Sequence, residues 1–152
     1  MSLEKEYEVL AEKYSLPSFD DFNKEFDVYC VDDDSFILRE FVKKIVDKLD
    51  YFLKVLEGLL RPDLNVVDLH ESNEFDDLGR EKIWQLYKRL MFYNRFSYEL
   101  DLVCSDEKFA FFIKDFWAEW VLLKKDLFDI VVKIKGSWLK DIELEFERGY
   151  VG

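Results

Sequence analysis

The stretch LREFVKKIVDKLDYFLKVLEGLLRPD, residues 38–63, decides the fold class. Its apolar residues Leu38, Phe41, Val42, Ile45, Leu49, Phe52, Leu53, Leu56 and Leu60 recur every three or four positions. That spacing marks one side of a helix with a 3.6-residue period, held for roughly six turns. Lys, Asp and Glu fill the other side, so the helix presents an apolar stripe to a core and a charged surface to water. Gly58 weakens the last turn, and Arg61-Pro62-Asp63 ends the helix because proline cannot continue the hydrogen-bond ladder.

Upstream, Asp32-Asp33-Asp34-Ser35 resembles a metal loop only superficially. A calcium loop needs alternating ligands, a central Gly and a closing Glu, whereas Phe36, Ile37 and Leu38 follow at once. The aspartates read as a cap and as first-turn charges that oppose the helix dipole. Before them, Ser18 and Asp21 form a capping box, and Phe19, Phe22, Phe26 and Tyr29 carry a helix to about Tyr29. The first helix spans Leu3 to Tyr14, capped by Ser2, and stops where Pro17 restricts Leu16.

Downstream, Leu64 to Asp77 lacks helical periodicity and reads as an irregular polar connection. A fourth helix runs from about Leu78 to Leu102, with Ile83, Leu86, Tyr87, Leu90, Tyr93 and Asn94 on one face. Trp84, Met91 and Tyr98 widen that face, while Asn94 and Ser97 are either buried hydrogen-bonding groups or pocket liners. Ser105-Asp106-Glu107 opens a fifth helix, with Phe109, Phe112, Ile113, Phe116, Trp117, Trp120, Leu127, Val131 and Ile134. Lys133-Ile134-Lys135-Gly136 reads as its stop. In the remainder, Trp138, Leu139, Ile142 and Phe146 fit a further helix, although Ile142, Leu144 and Phe146 also alternate like a strand.

These elements predict an all-α, antiparallel helical bundle of three long helices closed by two shorter N-terminal ones, as a single domain over residues 1–152. Hydrophobic residues make up 49% and charged residues 37%, with 15 Phe, 8 Tyr and 4 Trp, which provides a core and argues against disorder. The net charge of −12 opposes binding to nucleic-acid backbones. No apolar run suits a bilayer span and the N-terminus lacks a signal-peptide core, so a cytoplasmic location is expected, with no membrane role. Thr is absent and Gln85 is the single glutamine, a bias that suits a hot-growing source.

Chemistry-bearing motifs are scarce. Glycine-rich phosphate loops, His-Glu-x-x-His and Cys-x-x-Cys are missing, and one histidine cannot supply a ferritin-like di-iron site. His70, beside Glu71 and near Arg80, is the candidate for proton transfer, because imidazole titrates near neutral pH. A lone histidine in a polar connection is more often an exposed loop residue, and His70→Ala is then expected to change stability little. Glu71, Glu74, Asp76 and Asp77 could hold a cation but more often would cap and solvate the next helix. Cys30 and Cys104 read as small buried thiols. Trp117 and Trp120, with Phe111, Phe112 and Phe116, form either core or one edge of a partner surface.

The segment Leu16-Pro17-Ser18-Phe19-Asp20-Asp21-Phe22-Asn23-Lys24-Glu25-Phe26, with the long helix ending Leu60-Arg61-Pro62-Asp63, resembles a group of small all-helical archaeal proteins of unassigned function. The resemblance implies an archaeal, cytoplasmic protein and brings no catalytic residues. The expected function is therefore a non-catalytic protein-interaction or adaptor bundle, with another protein as partner and no cofactor or metal. The alternative is a small hydrolase- or nuclease-like enzyme with its site near residues 64–80.

Overall fold

The computed structural model describes residues 2–32 and 36–147. Every element among these residues is helical. Helix α1 (Leu3–Tyr14) starts at Ser2, whose hydroxyl accepts the Lys5 N–H, and ends at Ser15 in the left-handed region. Helix α2 (Phe19–Phe26) is capped by Ser18 through the Asp21 N–H at 3.2 Å. It stops before Tyr29 because Asp27 turns left-handed, and Val28–Cys30 forms a single 3-10 turn. Helix α3 covers Ile37–Leu60. Asp33, Asp34 and Ser35, expected to cap it, lie outside the described residues.

Residues expected to form an irregular connection instead contain helix α4 (Val66–Ser72), preceded by a 3-10 turn at Pro62–Leu64. Local chemistry makes it: the Asn65 side chain accepts the Asp68 N–H at 2.8 Å. Periodicity hides it, because Val66, Val67 and Leu69 are exposed while Ser72 is buried. Helix α5 (Asp77–Val103) and helix α6 (Asp106–Glu147) complete the chain. Helix α6 passes through Gly136 rather than stopping there. Ser137 is buried and its hydroxyl donates to the Ile134 carbonyl at 2.6 Å, while Trp138 makes long-range contacts, so packing overrides the Lys-Gly stop.

The chain divides into two compact units, Met1–Leu53 with Arg89–Val121 and Lys54–Lys88 with Leu122–Gly152. The divisions fall inside α3, α5 and α6, each of which contributes to both units. In the first unit, Arg89 pairs with Glu119, Tyr93 with Asp115 and Phe96 with Phe112. Rising numbers on α5 meet falling numbers on α6, which makes this pair antiparallel about the Cys104–Ser105 turn. Helices α3 and α5 are antiparallel in the same way, with Asp50 against Asn94 and Asp47 sharing a hollow with Ser97.

Aromatic rings fill the first unit. Tyr7 stacks on Phe41 at 4.6 Å, Phe22 meets Phe41 edge-on at 5.0 Å, and Phe116 and Trp120 pack on Phe26. The second unit buries Leu56, Leu59, Ile83, Leu86, Leu123 and Leu127, with Phe75 between α4 and α5 in the chain. Asp68 of α4 lies so close to α3 that a Cβ on Gly58 would sit 2.6 Å from its Oδ1. Gly58 therefore admits α4 as well as softening the end of α3.

Candidate functional site

Helix α4 places the only histidine against the far end of α6. The His70 ring lies 4.0 Å from the Trp138 ring at 34°, and Trp138 Nε1–H donates to Glu71 Oε2 at 2.9 Å. Arg80 donates through Nη2 to the Ser72 carbonyl at 3.3 Å, which ties α5 to the end of α4. His70, Glu71 and Arg80 thus gather in one unit, each engaged in packing or tying helices together. Lys133 lies over the Phe75 ring at 4.9 Å in the same unit.

Within the acidic cluster, Asp76 caps α5 while Glu71 binds Trp138. Asp76 Oδ1 accepts the Gly79 N–H at 2.7 Å, a helix-start bond of the kind carboxylates favour. Among the described residues, no group of three or more His, Cys, Asp or Glu side chains is placed to hold a metal ion.

Trp117 and Trp120 belong to the aromatic core of the first unit. Trp117 is half-buried against Phe22 and Phe26, and buried Trp120 donates its Nε1–H to Glu25 Oε2 at 2.9 Å. Lys48 binds the Glu25 carbonyl and lies over the rings of Phe26 and Trp120, at 5.1 and 5.7 Å. Phe111 faces solvent, in contrast to Phe112 and Phe116.

Asn94 and Ser97 are both buried. Asn94 Nδ2 donates to Asp50 Oδ1 at 2.6 Å, and the Ser97 hydroxyl donates to the Asn94 carbonyl. Ser97 also lines a hollow of about 90 Å³ with Arg39, Val42, Lys43, Asp47 and Asp101. Its charged walls carry both signs, and its volume suits a few waters better than a substrate.

The cysteines are exposed, contrary to the expectation of burial, because each sits at a helix break. Cys30 closes the 3-10 turn and donates its S–H to the Asp27 carbonyl at 3.2 Å. The Lys44 pKa is raised, first by a hydrogen bond with Cys30, against an opposing desolvation by burial, and further by the nearby carboxylates of Asp47 and Asp27. Two buried phenols are pushed well above the usual range. Burial dominates for both, reinforced by the charge of Glu8 at Tyr7 and by Asp115 and Glu119 at Tyr93.

The outward side of α6 carries apolar residues that do not face the core. Phe128, Val132, Leu139 and Ile142 are exposed there, with Phe128 at 65%. Their spacing of four, seven and three residues, which keeps them on one side of a helix, is the sequence signal that marks them. Comparison with family models, with curated proteins and with solved structures returns no match. Among the described residues, no helix is long and apolar enough to cross a membrane.

Proposed function

We propose that this chain is a non-catalytic protein-interaction or adaptor module, working in the cytoplasm with another protein as its partner. The observation that carries the reading is the exposed apolar side of α6, where Phe128 and Ile142 present 65% and 60% of their surface to water. The groups that an enzyme would use in the second unit already serve packing: His70 packs at a tilt against Trp138, Glu71 accepts from its indole, and Arg80 binds the Ser72 carbonyl. The acidic balance of −12 weighs against a nucleic-acid partner.

The test is recovery of the tagged chain from the cells that make it, followed by sizing of the native complex. A stoichiometric protein partner that survives purification is expected. A chain recovered alone, together with a hydrolytic activity abolished by His70→Ala in a folded protein, would replace this reading with the enzyme one.

A further inference from the structure

Resting on the interaction reading above, the geometry points to the outward side of α6 as a docking seam for an acidic amphipathic helix of another protein. Within the second unit, Lys125, Phe128, Val132, Lys135, Leu139 and Ile142 follow one another at intervals of three, four, three, four and three. This is the alternation by which two helices wrap around each other. It is a second stripe rather than the rim of the first, because Leu123, Leu127 and Ser137 face the core while all six seam residues are exposed.

Charge selects the occupant. Over the span of the seam, residues 125–142, four lysines stand against three aspartates, one positive charge in excess, in a chain whose total is −12. Lys125 and Lys135 stand in the seam itself, about 15 Å apart along the axis at 1.5 Å per residue. Around Lys135, the residues three and four positions away are Val131, Val132, Trp138 and Leu139, so α6 offers it no carboxylate of its own at helical spacing. A helix bearing Asp or Glu ten residues apart, with branched apolar residues between them, would meet both lysines and cover Phe128 and Val132. Gly136 sits at the edge of the seam where, among the described residues, a Cβ would meet no atom within 4 Å beyond its chain neighbours and its own helix backbone, so the backbone is open to close approach.

A second copy fits poorly. In a parallel pair each seam lysine faces itself, in the antiparallel pair that sets Phe128 against Val132 Lys125 faces Lys135, and in the one that sets Phe128 against Leu139 both lysines lie against apolar residues with no carboxylate to meet them. A bilayer surface fits poorly too: Val131 and Trp138 are exposed beside the seam and widen it, but the total charge of −12 repels anionic lipid head groups.

The full chain can be titrated with two synthetic helical peptides of identical Leu/Ile heptads, one with glutamates at the two positions facing Lys125 and Lys135, the other with lysines there. The glutamate peptide should bind at least tenfold more tightly. The double variant Lys125→Glu, Lys135→Glu should reverse that preference. Phe128→Asp, at an exposed position and with helicity checked by circular dichroism, should abolish binding of both. The proposal falls if neither peptide binds, or if the preference ignores the charge reversal. It also falls if phosphatidylserine vesicles bind in place of the peptides, or if sedimentation reveals a dimer that Phe128→Asp dissolves. A native complex that survives Phe128→Asp would overturn the seam but leave the interaction reading standing. Absence of any complex with the unaltered chain would overturn that reading itself.

Discussion

At the scale of single residues, two backbone positions carry opposite lessons about glycine. Cys104 joins α5 to α6 with φ of 47°, in the left-handed region where a side chain costs about 1–2 kcal/mol. Its N–H still closes the turn onto the Leu100 carbonyl at 2.9 Å, and its side chain is exposed. Cys104→Gly should therefore stabilise the protein by about 0.5–1 kcal/mol, strain relief exceeding the added freedom of the unfolded chain. A urea midpoint that rises at constant slope would bear this out, and a lower midpoint would show that the thiol makes a contact worth keeping. Gly58 is the reverse case. In most helix interiors Gly→Ala gains up to about 1 kcal/mol, but here the new Cβ would displace the Asp68 carboxylate, which accepts from Asn65 Nδ2 at 2.9 Å. The expected outcome is that Gly58→Ala gains little alone and about 1 kcal/mol in an Asp68→Ala background. Simple additivity of the two substitutions would refute the contact.

At the scale of elements, the helices readable from sequence were those whose signals are local. Ser2 and Pro17 bracket α1, Ser18 opens α2, and the unbroken stripe from Leu38 to Leu60 defines α3. Helix α4 was hidden because its apolar residues point outward and its hold on the fold is polar: Ser72 donates to the Leu59 carbonyl at 2.9 Å. The run of α6 past Gly136 was hidden for a related reason, since Trp138 finds Glu71 across 67 positions and no local pattern announces that pairing. The candidate site shared this fate. His70 was identifiable as the only imidazole, but its packing partner was not. It follows that His70→Ala should destabilise the protein by about 1–2 kcal/mol, more than the small change expected of an exposed loop residue. Chemical denaturation of His70→Ala, Trp138→Ala and the double variant provides the check, with a coupling of about 0.5–1.5 kcal/mol expected for a packed ring pair. Zero coupling would separate the two rings.

At the scale of the whole molecule, the buried phenols make stability sensitive to alkali in a definite direction. Tyr7 donates to the Pro17 carbonyl at 2.7 Å and Tyr93 to Asp115 Oδ2 at 3.1 Å, and both rings are buried. Burial first, then neighbouring carboxylates, raises both pKa values above those of the unfolded chain. Below about pH 10 the phenols are neutral in both states and their contribution is intact. Above it the unfolded chain releases two protons that the folded chain retains, so stability should fall by up to about 2.7 kcal/mol per pH unit, half from each tyrosine. Raising the pH further also removes lysine charge from a chain already at −12, which adds repulsion in the same direction. Absorbance of ionised phenol should show Tyr7 and Tyr93 silent until helical circular dichroism collapses. Tyr7→Phe and Tyr93→Phe should each remove about half of the steep alkaline slope, as seen in urea midpoints between pH 9 and 11. Ionisation of Tyr7 and Tyr93 below pH 11 with the helices intact, identified by the signal lost in Tyr7→Phe and Tyr93→Phe, would mean that water reaches both rings, and the buried aromatic core of the first unit would have to be redrawn.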